Sequence, residues 1–438
     1  MQLGNRHSQH SFAQTPSVNS SRSQFDRSFQ RKTTYDFDYL IPCFVDEVLP
    51  GDTVNLSLRT FSRLATQLVP IMDNLYIDYF FFFVPNRLLW DNWEKFCGSQ
   101  VNPGDSIDFT IPTKAIADNT ATVGSIYDYM GLPTNNTGGI GAYTLPNVLP
   151  LRAYARIWNE WFRSQDLDNS VTVSTANGPD TTTSATLLKR RKKHDYFTSC
   201  LPNPQKGATD VSLPLGTSAP VLGIGKFNTN FTDTNSVVYE SDGTQSTYAN
   251  AAFIDGSSND TTFRIEKQTV GGTNYPNIRA DLSAATAATI NELREAILVQ
   301  SLLELDARGG TRYTEIVLNH FNVNTGDARL QRAEYLGGGR EKINSHIVPQ
   351  TAPTSGTAYK GSLAAFATAS TSDSSIGFTK SFVEHGYVIG MCNARADITY
   401  QQGLERFWQR QTRYDFFWPK LQQLGEQEVL LGELYWQS

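Results

Sequence analysis

The sequence predicts a mainly β protein with several short to medium helices set between its strands. Three observations carry that prediction. Runs of strict apolar–polar alternation follow Pro-Gly turns, the stretch Leu75 to Val84 is aromatic on both faces, and aromatic residues reach 12% while charged residues fall to 18%. A globular chain typically carries about 25% charged residues. Two readings fit so little charge: a large β-rich core, or a surface covered by neighbouring subunits, since interface cores lose charge and gain aromatics.

Residues 1–33 read as an arm. Ser, Gln and Asn dominate, and Arg6, Arg22, Arg27, Arg31 and Lys32 face one acid, Asp26. Too few apolar side chains are present to offset the entropy of ordering, so the arm is expected to order only against a partner. Order begins near Tyr35. Pro50-Gly51 suits the centre of a type II turn, and Val54, Leu56 and Leu58 then alternate with Asn55, Ser57 and Arg59 as in a half-buried strand. Leu75 to Val84 reads as a strand buried on both sides. Asn86 is a candidate cap for a short helix carrying Leu89, Trp93 and Phe96. After Pro103-Gly104, Ile107, Phe109 and Ile111 alternate with polar residues and predict another strand.

Residues 150–164 place Leu151, Tyr154, Trp158, Trp161 and Phe162 on one helical face. The stretch 168–186 reads as a small surface excursion with a turn at Asn177-Gly178. A larger one spans 208–282, rich in Thr, Asn, Ser, Asp and Gly. The longest predicted helix runs from about Ser283 to Arg308, with Ile290, Leu293, Ile297, Leu298, Leu302 and Leu305 at a 3.6-residue period and Gly309-Gly310 as its stop. A shorter one carries Tyr313, Ile316, Val317 and His320. Strands are expected at Phe378 to Val383, Tyr387 to Cys392 and Ala394 to Tyr400.

The chemistry-bearing residues form no catalytic constellation. Gly223-Ile224-Gly225-Lys226 fails as a phosphate loop, because Pro220 replaces the first glycine and Phe227 the magnesium-binding hydroxyl. Gly337-Gly338-Gly339 lacks a strand-to-helix context. The six histidines show no metal spacing, and Cys43, Cys97, Cys200 and Cys392 lie far apart. Reduced thiols in a cytoplasmic setting fit that spacing. Catalytic residues, cofactors and metals are all expected to be absent. No apolar run approaches the ~20 residues of a membrane span, and no secretory signal is visible.

Two basic features stand out against a net charge of −6. Lys189, Arg190, Arg191, Lys192 and Lys193 are consecutive cations, which read either as a solvated loop or as a patch that neutralises phosphate. Arg406, Arg410 and Arg413 are interleaved with Phe407, Trp408, Tyr414, Phe416, Phe417 and Trp418. That mixture suits stacking of unpaired bases, and equally a core or a subunit contact.

Long segments resemble the major capsid proteins of the Microviridae, specifically the gokushovirus branch. They include FDRSFQRKTTYDFDYLIPCFVDEVLPGDTVNL (25–56), MDNLYIDYFFFFVPNRLLWDNWEKFCG (72–98), NPGDSIDFTIP (102–112) and SIYDYMGLP (125–133). RAYARIWNEWFRSQDL (152–167), HDYFTSCLPNPQKG (194–207), LDARGGTRYTEIVLNHF (305–321), DARLQRAEYLGGG (327–339) and TYQQGLERFWQRQTRYDFFWP (399–419) follow in the family's order. The resemblance covers most of the chain outside 208–282. It implies an eight-stranded antiparallel jelly roll of the viral capsid type over 34–438, with long loop insertions and a variable surface insertion at about 208–282.

The same resemblance implies many copies in an icosahedral shell around circular single-stranded DNA, assembled in the host bacterial cytoplasm. Implied partners are a scaffolding protein, a small basic DNA-binding protein and a host receptor met by outer loops. Relatives of that branch continue past the point matching Tyr435-Trp436-Gln437-Ser438 with a further aromatic and basic segment. The competing readings are a carbohydrate-binding or carbohydrate-cleaving β-sandwich and a non-assembling single-stranded-DNA binder.

Overall fold

The strand expected at Leu75 to Val84 forms, and it is the middle of a six-stranded antiparallel sheet. The computed structural model describes residues 21–67, 71–135, 140–207, 290–310, 313–322, 331–349, 363–371, 376–422 and 427–436, with short strand pieces between 221 and 280. Two compact units are present. One comprises Met1–Ile157, Thr172–Arg190 and Ala333–Ala396; the other comprises Trp158–Val171, Arg191–Arg332 and Asp397–Ser438.

In the first unit the strands are β1 (Ile41–Val48), β2 (Thr53–Leu58), β3 (Phe61–Arg63), β4 (Leu75–Pro85), β5 (Lys114–Ile116) and β6 (Tyr143–Leu145). The second holds six short pieces, β7 (Val221–Leu222), β8 (Val238–Tyr239), β9 (Gln245–Ser246), β10 (Lys267–Val270), β11 (Thr273–Pro276) and β12 (Arg279–Ala280), paired two by two. The first unit resumes with β13 (Glu334–Pro349), β14 (Leu363–Ser370), β15 (Ile376–Ser381) and β16 (Gly386–Ala396). The large sheet runs β1-β16-β4-β13-β14-β3, while β2 pairs with β15. Because β2 and β3 adjoin in sequence but pair in different ladders, the sheet curls back on itself.

Alternation along β4 decides what lies on each face. Leu75, Ile77, Tyr79, Phe81 and Phe83 enter a core shared with Val54, Leu56, Leu58, Ile376 and Phe378 of the β2–β15 pair. Ring centroids of Phe81 and Phe378 are 5.5 Å apart, and those of Phe83 and Phe382 are 4.7 Å apart. Each such ring contributes on the order of 1.5–3 kcal/mol by leaving water. Helix α3 (Leu149–Ile157) packs on β4 and β16, burying Leu149, Leu151, Tyr154 and Ile157. The Tyr154 hydroxyl donates to the Leu40 carbonyl and accepts from the Leu188 N–H, and burial pushes its pKa up.

Several expectations change. Ile107 to Ile111 is no strand: the Phe109 N–H bonds the Ile107 carbonyl and the Asp108 N–H the Ser106 hydroxyl, so the segment turns on itself. The strands expected at Tyr387–Cys392 and Ala394–Tyr400 are one strand that stops at Ala396. Asn86 starts a single 3-10 turn without a side-chain cap, and α1 (Trp93–Phe96) and then α2 (Ile126–Tyr129) follow it. The glycine run lies inside β13, where a Cβ on Gly338 would stand 2.0 Å from the Tyr79 carbonyl oxygen. Of the long helix, Ile290–Gly309 forms α4, and Gly310 takes a φ of 96° just past its end; 283–289 lie outside the described residues.

Part of the stretch 168–186 is buried rather than a surface excursion. Arg152 and Asp180 form an ion pair at 2.7 Å with both side chains fully buried. The other guanidinium nitrogens of Arg152 donate to the Leu89 and Ala176 carbonyls, and Asp180 accepts from Thr182 and Thr183. The pair is thus saturated with hydrogen bonds, the condition under which a buried charge is tolerated. Asp180→Ala strands Arg152, and a loss of about 3–5 kcal/mol is expected in urea unfolding of the unassembled chain. A loss below ~1 kcal/mol, the range of a surface pair, would count against this role.

Candidate nucleic-acid and assembly surfaces

The cation run at 189–193 is divided by the fold. Lys189 and Arg190 belong to the first unit, Arg191, Lys192 and Lys193 to the second. The chain at 188–190 runs antiparallel to 38–40, with Leu40 N–H bonded to the Leu188 carbonyl and Arg190 N–H to the Asp38 carbonyl. Lys189 is exposed, 3.9 Å from Asp38 and over the Tyr39 ring. Arg190 turns inward to Asp78 and lies 4.7 Å over Phe80.

Asp78 is buried on β4 and gathers three guanidiniums. Arg340 holds it bidentately at 2.6 and 3.1 Å, Arg190 hydrogen-bonds it, and Arg395 lies 3.6 Å away. Burial alone would raise the Asp78 carboxyl, but the hydrogen bonds and charges of Arg340 and Arg190 outweigh it and hold the group below its ordinary value. Neither Asp78 nor Arg340 stood out in the sequence. The available signal was a lone carboxylate within an aromatic strand, which can be buried only if cations come to it.

In the second unit Arg191 lies 3.4 Å from Asp168, while Lys192 and Lys193 are exposed. Arg406 is 3.4 Å from Glu433 and donates to the Glu428 carbonyl. Arg410 lies 5.3 Å over Phe416 and Arg413 4.7 Å over Trp418. The aromatic companions stay open: Phe407, Trp408, Tyr414, Phe416, Phe417 and Trp418 are all exposed, Trp408 and Phe417 to 69% and 75%. These rings are therefore not core. In the arm, Arg22 and Arg31 donate to the Gly51 and Asp128 carbonyls, Arg27 pairs with Asp46 at 2.8 Å, and Phe29 stacks on Phe44; residues 1–20 lie outside the described residues.

His320 is bonded to Asp306 at 2.6 Å, and His385 meets the edge of Trp93. Among the described residues no group of His, Cys, Asp or Glu is placed to hold a metal, and no helix is long and apolar enough to cross a membrane. The arrangement is one of structural ion pairs, exposed rings and a few outward cations.

Comparison with known proteins gives these surfaces their context. The family model described as "Capsid protein (F protein)" matches residues 13–438. The chain belongs to this capsid protein family. It is 51% identical to the capsid protein VP1 of Bdellovibrio phage phiMH2K, over all of this chain and 81% of that one. It is 39% identical to VP1 of Chlamydia phage 1, over 98% and 80%, and 34% identical to VP1 of Spiroplasma virus 4, over 97% and 78%. This coat protein is a structural component of a virion that self-assembles into a shell, and not an enzyme. The carbohydrate reading has no support.

The depressed Asp78 carboxyl sets a pH dependence. A lowered folded pKa gives stability that is complete above the unfolded carboxylate value of about 3.9 and lost as pH falls through the folded value. Asp180 acts in the same direction: burial raises it, and its Thr183 and Arg152 hydrogen bonds more than compensate. Asp78→Asn is expected to lower the melting temperature of the unassembled chain at pH 7 and to flatten its acid-side decline. Parallel melting curves for variant and parent from pH 7 to pH 3 would contradict the assignment.

Proposed function

We propose that this coat protein is an eight-stranded jelly roll whose copies form an icosahedral shell around circular single-stranded DNA. Strand order is the observation that carries the fold. With the strands of a two-sheet roll numbered one to eight, one sheet reads 1-8-3-6 and the other 2-7-4-5. β1, β16, β4 and β13 follow the first order, with β14 and β3 extending that sheet beyond β13, and β2 with β15 suits places 2 and 7. The short β5–β6 pair remains for places 4 and 5. In this reading 34–438 is the roll, and 1–33 is an arm on its inner side.

Membership of the capsid family supports the nucleic-acid reading, together with cations that are turned outward. Lys189, Lys192 and Lys193 are exposed. On this reading they neutralise phosphate without reading sequence, whereas Arg190, Arg191 and Arg406, held by Asp78, Asp168 and Glu433, fix the backbone around them. Arg410 and Arg413 act through the exposed rings they stack on, as platforms for bases or for a neighbouring subunit. A scaffolding protein and a small basic DNA-binding protein complete assembly in the host cytoplasm, and outer loops including 208–282 meet the host receptor.

Replacing Lys189, Lys192 and Lys193 together with Gln is expected to leave particle yield near that of the parent while the DNA content per particle falls. Full DNA content in purified particles would refute the contact assignment. Shortening the chain within 223–237 is expected to leave particle formation intact, as suits an outward loop. Failure of that variant to yield soluble chain would place the segment in the core instead.

A further inference from the structure

The large sheet has a second face, turned away from the β2–β15 pair, and register decides what stands on it. Residues directly opposite one another share a face. Lys342, Tyr76 and Arg395 therefore form one cross-strand row, and Arg340, Asp78 and Asn393 the next. Where β13 leaves β4 for β14, the face continues with a row of Asn344, Thr368 and Arg63, and with His346 beside Phe366. Helix α3 and the residues before it cover the end of this face near Tyr387. The other end is open. Arg63, Lys342 and His346 are exposed, as are Phe61 and Phe366, to 75% and 42%. His346 stacks on Phe366 with ring centroids 5.0 Å apart, and Arg340 lies over the Tyr76 ring.

We propose that this open end of the sheet is a binding surface for single-stranded DNA, held without regard to sequence. The inference rests on the reading of the chain as the coat of a single-stranded DNA genome, and it adds a site apart from the lysines at 189–193 and the rings at 407–418. Arg63, Arg340, Lys342 and Arg395 stand in rows whose only acid is Asp78, itself enclosed by arginines. Surfaces that bind nucleic acid are much more positively charged than contacts between proteins. The centre of a protein contact loses charge rather than collecting it. A polyanion therefore suits this face better than a second copy of the chain does.

Alternate residues of a strand are about 6.7 Å apart, so Arg340, Lys342, Asn344 and His346 form a line of polar groups along β13. Rings flank that line, Tyr76 on β4 and Phe366 on β14, with Phe61 on β3 beyond them. Cations that track the phosphates beside rings that stack the bases are what hold a splayed single strand. Every base has a π-face, so stacking there sets no sequence preference. Arg340 and Arg395 are shared with Asp78, whereas Arg63 and Lys342 form no ion pair among the described residues. These two carry the phosphate contact.

The test measures binding of a fluorescent oligo(dT) to the full chain, dissociated from particles, by anisotropy at several salt concentrations. Arg63→Gln with Lys342→Gln is expected to weaken binding and to reduce the slope of log affinity against log salt by about 1.4, at ~0.7 per phosphate contact of a single strand. Phe61→Ala with Phe366→Ala is expected to weaken binding about fivefold or more with the slope unchanged, since stacking releases no counterions. Parent-like affinity and slope in both double variants, while Lys189, Lys192 and Lys193 changed to Gln does weaken binding, overturns this site and upholds the DNA reading. Loss of particles with DNA binding intact makes the face a contact between copies, and the proposal falls. A parent chain that binds no oligo(dT) removes the DNA reading and this inference together. If a variant does not fold, ultraviolet crosslinking of the DNA inside parent particles decides. Nucleotide adducts on peptides holding Phe61 or Phe366 are expected, and adducts confined to other peptides overturn the site.

Discussion

The first unit depends on one constraint: β4 must bury both of its faces. Its inner row, Leu75 to Phe83 at every second residue, meets the β2–β15 pair, while its other row carries Tyr76, Asp78, Phe80 and Phe82. A strand of this composition is unstable at a sheet edge, where its free backbone groups and rings would invite pairing with other chains. Its central place between β13 and β16 removes that hazard. The same placement brings chain from opposite ends of the sequence together, since β16 pairs on its other side with β1. Closing such long loops is slow but adds little extra cost per residue of loop, which is how insertions between strands are tolerated.

Burial of both faces also explains the ion pairs. Asp78 lies where solvent does not reach, and an uncompensated carboxylate there would be protonated rather than charged. Three arginines from separate parts of the chain keep it ionised. Asp180 shows the same solution on a loop, with Arg152 from α3 as the cation. In both cases a charge fixes which segments meet. Hydrophobic contact alone is less selective, because aliphatic and aromatic surfaces of similar size are interchangeable. Arg190 therefore has a structural use that its position in a cation run conceals.

How much of this was legible follows from what each signal measures. β2, β4 and β15 were readable because alternation or double-sided apolarity reports burial directly. β13 was not, since a run of three glycines carries no side-chain alternation; the lack of side chains at Gly337, Gly338 and Gly339 is what lets β13 approach β4 and β15 closely. Ile107 to Ile111 had the right alternation but no neighbouring strand, and alternation without a partner makes no ladder. The basic run was legible as charge, not as orientation: nothing in five consecutive cations says that Arg190 points to Asp78 while Lys192 and Lys193 point outward. The family itself was legible, because its motifs are long and ordered along the chain.

The composition that first suggested a β-rich core also has a second cause, and the structure separates the two. Phe81, Phe83, Trp90 and Tyr154 account for aromatics inside the fold. Trp408, Tyr414 and Phe417 do not, because they are exposed in the single chain. Low charge and exposed rings are unfavourable for a protein that stays alone in water, and favourable for one whose surface is mostly interface. The described residues of the single chain thus leave part of its aromatic surface uncovered, an arrangement that suits a coat protein whose copies meet in a shell.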